Sequence, residues 1–107
     1  MIDATIKMTV SREKRKEVLQ TLTAILGPIR RENGCLSCNC YVDVEAETTI
    51  LFKEEWQSGE DLETHLRSVL FGVLVGAMKL LDKEPDVTFS TIASVAGWER
   101  VKEVRVE

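Results

Sequence analysis

The chain contains one histidine, His65. Imidazole titrates near neutral pH, so His65 is the first candidate for a proton-transfer group. It lies three residues after Leu62 and four before Val69, spacings that put it on the apolar stripe of a helix. There it could take the proton of a phenolic or quinol substrate, or be a core histidine satisfied by a carbonyl or carboxylate. Glu54 is the second candidate. It stands between Phe52 and Trp56 at period two, so the three side chains share one strand face. A carboxylate between apolar neighbours is a candidate base, or else the partner of a lysine or arginine on the next strand.

Three cysteines crowd into Cys35, Cys38 and Cys40. Cys35-x-x-Cys38 suggests metal or redox chemistry, but on a regular strand that gap points the two thiols to opposite faces. Cys38 and Cys40 share a face, yet two thiols and one histidine do not complete a zinc site of known spacing. They read as buried small hydrophobes, and an odd number of reduced thiols suits a cytoplasm. MIDATIKMTV holds no basic segment followed by an apolar signal region, so export is not expected.

The elements that must position these residues are legible from periodicity. Ile6, Met8 and Val10 alternate with Thr5, Lys7 and Thr9 in a strand over 4–10. Ser11 offers an N-cap to a helix with Val18, Leu19, Leu22, Ile25, Leu26 and Ile29 on one stripe. Gly27-Pro28 should kink its last turn, and Asn33-Gly34 closes it. Cys35–Asp43 and Thr49–Trp56 form an antiparallel hairpin across an acidic turn at 44–48. Ser58-Gly-Glu-Asp61 resembles a capping box and opens a helix whose stripe is Leu62, His65, Leu66 and Val69. From Leu70 to Asp82 a second helical stretch is apolar nearly all round, which predicts burial on several sides. After Pro85 comes a strand over 87–95. Then a short helix carries Trp98, Val101 and Val104.

The order β-α-β-β-α-(α)-β-α matches a ferredoxin-like split βαβ, an α+β fold with an antiparallel sheet. Strands two and three carry apolar residues in both phases, Leu36, Val44 and Leu51 against Cys38, Val42 and Phe52. A sheet apolar on both faces needs a second cover, and a partner subunit's sheet is the simplest. The composition is globular, 44% hydrophobic and 30% charged, and the net charge of −4 argues against nucleic acid as a partner. Glu13 and Glu17 interrupt the basic cluster Arg12, Lys14, Arg15 and Lys16, which reads as solvated helix. The longest apolar run, Val69–Met78, is ten residues, against about 20 for a membrane span.

Several segments together resemble the antibiotic biosynthesis monooxygenase domain: Gly34-Cys35-Leu36-Ser37, Tyr41-Val42-Asp43, Glu54-Glu55-Trp56-Gln57-Ser58, Leu62-Glu63-Thr64-His65-Leu66, and Ser68 to Phe71. The resemblance covers roughly Ile2 to Val95, so residues 1–107 are expected to form one such domain with a short C-terminal element over 97–107. It implies a dimeric α+β barrel, with a pocket between each sheet and its own helices. Well-understood members oxidise quinols or polyketide anthrones with molecular oxygen and no cofactor, and others in the wider superfamily degrade haem or isomerise small sugars. The haem-degrading pattern is not matched: Thr5, Lys7 and Thr9 replace its strand-one asparagine, and no histidine follows Phe71. Phe52 stands where polyketide oxidisers carry an asparagine.

From the resemblance, His65 and Glu54 are the expected catalytic residues, and Trp56, Phe52 and Phe71 the substrate-binding ones. Without it, Trp56 is a large residue plugging the end of the barrel. The expected function is a cofactor-independent monooxygenase or quinol oxidase for a small flat phenolic or quinone-like compound. It would be a cytoplasmic homodimer through its sheet faces, with no metal, nucleic-acid or membrane partner. The alternatives are a non-catalytic binding or structural dimer and a small-metabolite isomerase.

Overall fold

The computed structural model describes residues 1–106; Glu107, the end of the expected C-terminal element, lies outside the described residues. The elements run β1 (Ile2–Thr9), α1 (Arg12–Arg30), β2 (Cys35–Val42), β3 (Thr49–Trp56), α2 (Gly59–Leu66), α3 (Val69–Met78), β4 (Asp86–Thr91) and α4 (Trp98–Val104). The strands form one antiparallel sheet in the order β2-β3-β1-β4. This is the expected α+β ferredoxin-like fold.

Period-two alternation decides which residues the sheet buries. Ala4, Ile6 and Met8 of β1 pair with Glu54, Phe52 and Ile50 of β3, and all six are buried beneath the helices. Helix α1 lays Val18, Leu22, Ile25 and Ile29 on that face. Each fully buried aliphatic or aromatic side chain of this size stabilises the fold by about 1.5–3 kcal/mol. Ser11 accepts from the Lys14 amide and caps α1, which runs through Pro28 to Arg30.

Four expectations change. The stripe on α2 stops short of Val69, because α2 ends at Leu66 and Ser68 caps a new helix by accepting from the Phe71 amide. That restart alters the phase, and Val69 is 85% exposed. Helix α3 is not buried on several sides, since only Leu74 and Ala77 are buried and Gly72 and Gly76 face open space. Strand β4 ends at Thr91, opposite Ile2, where β1's ladder also ends.

The fourth change concerns the face of the sheet turned away from the helices, which is largely polar. There Lys53 pairs with Asp3 at 3.0 Å, Thr5 donates to Asp3, and Ser37 donates to Glu55. Tyr41 and Leu51 remain as its large apolar side chains, beside Lys7 in a shallow depression. Val44 lies in the loop, fully exposed, and Leu36 sits at an irregularity where the β2–β3 register shifts between Cys35 and Ser37. Leu36 and Val44 fall at the same even positions as Cys38 and Val42, so period two does not split them between faces, and the shift instead brings Cys35 to the face of Cys38.

Helix α4 buries none of its residues. The radius of gyration, 15.8 Å, exceeds the roughly 13 Å of a compact chain of this length. No helix among the described residues is long and apolar enough to cross a membrane.

Candidate functional site

The site forms where the turn after α1 meets the end of β3 and the helix α2. After Arg31 caps α1, the Glu32 amide still donates to the Ile29 carbonyl, and the Cys35 amide donates back to the Glu32 carbonyl. Gly34 completes the turn at φ 81°, and its carbonyl accepts from the Gln57 amide at 2.8 Å, tying the turn to the end of β3. Ser58 opens α2 by accepting from the Asp61 amide. Its hydroxyl donates to Asp61 Oδ2, where a capping box would use the Ser58 backbone amide. Leu62 and His65 are the buried residues of α2.

These anchors hold His65 between two carboxylates. Nδ1 lies 2.5 Å from Glu32 Oε2 and Nε2 lies 2.7 Å from Glu54 Oε2. Glu54 Oε1 accepts from the Trp56 indole N–H at 3.2 Å. The Trp56 ring stacks on the imidazole at 4.4 Å between centroids, and Phe71 meets it edge-on at 5.4 Å. Each short nitrogen–oxygen contact needs one proton between its atoms, so the three groups together hold two protons and a net charge of −1. Burial opposes charge on the imidazole, but hydrogen bonds and attraction from Glu54 and then Glu32 outweigh it, and the His65 pKa is raised. Every buried side-chain polar atom among the described residues has a partner.

A cavity of about 210 Å³ opens beside this group. Trp56 and His65 wall it together with Glu32 and Asn33 from the turn, Asp61 and Thr64 from α2, and Ser68. Of the residues expected at the site, His65 and Trp56 border the cavity. Glu54 lies behind His65, 1% exposed, bonded to histidine and tryptophan rather than to a lysine or arginine. Phe71 touches the imidazole but is not among the walls, and Phe52 is buried in the core further along β3. Glu32 was not legible as a site residue: it falls between the α1 stripe and β2, and no periodicity marks it.

The cysteines are placed differently from the expectation. Because the register shifts at Leu36, Cys35, Cys38 and Cys40 pair with Trp56, Glu54 and Phe52, so all three occupy the helix-facing side of the sheet. They are free thiols packed in or against the core. Burial, reinforced by the Glu54 charge, pushes the Cys38 thiol up to about 12, and burial raises Cys35 and Cys40 as well.

A model of the antibiotic biosynthesis monooxygenase family matches residues 1–76 of the chain. The chain belongs to that family. The match takes in every residue of the His65 site. Among solved structures, a candidate antibiotic biosynthesis monooxygenase of Deinococcus radiodurans superposes with a TM-score of 0.84 at 22% identity, covering 91% of this chain and 97% of that one. A conserved protein of Methanosarcina mazei Go1 gives 0.78 at 26% identity, over 83% and 89% of the two chains. Rv0793 of Mycobacterium tuberculosis gives 0.81 at 21%, over 90% and 98%. In sequence, the chain is similar to an uncharacterised protein of Synechocystis, 28% identical over 78 residues, 73% of this chain and 49% of that protein. The chain thus spans about half the length of that curated relative.

Proposed function

We propose that this family member is a cofactor-independent monooxygenase or quinol oxidase acting on a small, flat phenolic or quinone-like compound. The observation that carries the reading is Glu32, His65 and the Trp56 ring meeting at one cavity, with Glu54 bonded behind the imidazole. A deprotonated quinol supplies its own electrons to molecular oxygen. The protein need only position the ring, exclude bulk water and hold a base.

In this reading His65 and Glu54 are the acid–base pair, with Glu54 orienting the imidazole and Glu32, on the cavity wall, the carboxylate through which a substrate proton reaches it. Trp56 is the wall on which the substrate ring packs, while Phe71 supports the imidazole edge-on and Phe52 fills the core further along β3. An apolar cavity of about 150 Å³ holds benzene, so about 210 Å³ suits one substituted ring better than a fused polycycle. The same proposal takes residues 1–107 as one domain, in the cytoplasm. It pairs two copies through their sheet faces, around Tyr41 and Leu51. A monomer in light scattering at micromolar concentration would remove the pairing.

Oxygen uptake with a panel of quinols tests the chemistry. His65→Ala is expected to lower turnover by about a hundredfold; unchanged turnover would sink the reading. A non-catalytic binding protein is the second reading, favoured by one fact: both nitrogens of His65 are engaged and its side chain is fully buried. Ligand binding without oxygen uptake above the uncatalysed rate would select it. Conversion of a small metabolite under strictly anaerobic conditions would instead select an isomerase.

A further inference from the structure

The imidazole cannot itself meet a molecule in the cavity. Both its nitrogens are bound and its side chain exposes nothing. Glu54 is sealed behind it. Glu32 is different: its side chain is 20% exposed and walls the cavity. Its Oε2 is committed to His65, and no hydrogen bond among the described residues uses its Oε1. Asp61 brings a second carboxylate to the wall, and no lysine or arginine is among the lining residues. Of the arginines flanking the wall residues in sequence, Arg30 is turned to β2, where it donates to the Cys38 carbonyl and to Asn39 Oδ1, Arg31 reaches back along α1 to Gly27, and Arg67 pairs with Glu63 at 3.8 Å.

We infer that the cavity takes an uncharged or cationic hydroxylated ring whose hydroxyl donates to Glu32, and that Glu32 is the residue that rejects anionic analogues. The inference rests on the cavity's being the substrate site. A neutral hydroxyl completes the open valence of a carboxylate that already accepts from His65. A carboxylated or phosphorylated ring would instead bring a further negative charge beside Glu32 and Asp61 with no counter-ion to meet it.

The test is calorimetric titration without oxygen, using hydroquinone, its 2-carboxylate and its aminomethyl derivative at pH 7. Hydroquinone and the cationic probe are expected to bind, and the carboxylate to bind about tenfold more weakly or worse. Glu32→Gln should shrink that gap severalfold. Asn33→Lys, an exposed change on the cavity wall that leaves the His65 group intact, should strengthen carboxylate binding by about threefold. Equal or tighter binding of the carboxylate by the unaltered protein, or binding of none of the probes, would overturn the inference. So would a gap unmoved by both substitutions. Charge ordering without oxygen uptake supports the inference and overturns the oxidase reading. Oxygen uptake without charge ordering does the reverse.

Discussion

The Asp61 carboxyl lies directly against the α-carbon of Gly34. A β-carbon at Gly34 would stand 2.2 Å from both Cγ and Oδ2 of Asp61, far inside any real contact. Gly34 also holds φ 81°, a left-handed conformation that side chains rarely adopt. Two independent constraints thus require glycine where the backbone of the turn carrying Glu32 meets the helix carrying His65. The distance between Glu32 and His65 depends on that contact.

Gly34→Ala should therefore destabilise the fold by about 2–4 kcal/mol, combining backbone strain with displacement of Asp61. Urea denaturation measures it. A loss below about 0.5 kcal/mol, the scale of an unremarkable surface substitution, would show that the turn adapts without strain.

The raised pKa of His65 has a definite sign in stability. The folded state holds the proton more tightly than the unfolded chain, where imidazole titrates at about 6.5. The stabilisation is therefore complete below pH 6.5 and is lost as pH rises through the folded-state value. Wild type compared with His65→Gln should show its larger advantage at pH 5.5 and a smaller one at pH 8.5. Because the chain has one histidine, a single imidazole NMR signal reports the folded midpoint, expected above 6.5. A midpoint below that value would contradict the two-carboxylate arrangement.

Glu54 serves two donors, the indole N–H of Trp56 and Nε2 of His65. Glu54→Leu leaves both without a partner inside the core and should cost about 3–5 kcal/mol, the scale for breaking a buried pair. Glu54→Gln keeps the shape and one acceptor, so its cost should be smaller. It should still lower the imidazole midpoint, because the charge that does most to raise it is gone. Equal destabilisation by the two substitutions would show that hydrogen bonding at Glu54 contributes nothing beyond volume.

Cys38 should resist alkylation in the folded protein. Its thiol is buried and its pKa is pushed up to about 12, so the reactive thiolate is scarce at pH 8. Mass spectrometry after iodoacetamide treatment should find Cys38 unlabelled until denaturant is added. Rapid native labelling would mean that this part of β2 opens readily.

Local sequence by itself determined the elements of this protein. Alternation over 4–10 and 49–56, the stripe from Val18 to Ile29, and the caps at Ser11 and Ser58 are short-range signals, and the strands and helices follow them. His65 and Glu54 were visible as candidates for the same reason, since their spacing puts them on buried faces, and the family resemblance added Trp56. What fails locally fails at breaks in period. Ser68 restarts a helix and turns Val69 outward, and the shift at Leu36 brings Cys35 to the same face as Cys38. The site's decisive pairing is of another kind. Glu32 and His65 stand 33 residues apart, and neither local propensity nor periodicity relates them. Only tertiary structure brings them together, because the turn after α1 is tied to the end of β3 beside α2 and Gly34 leaves room for the Asp61 side chain.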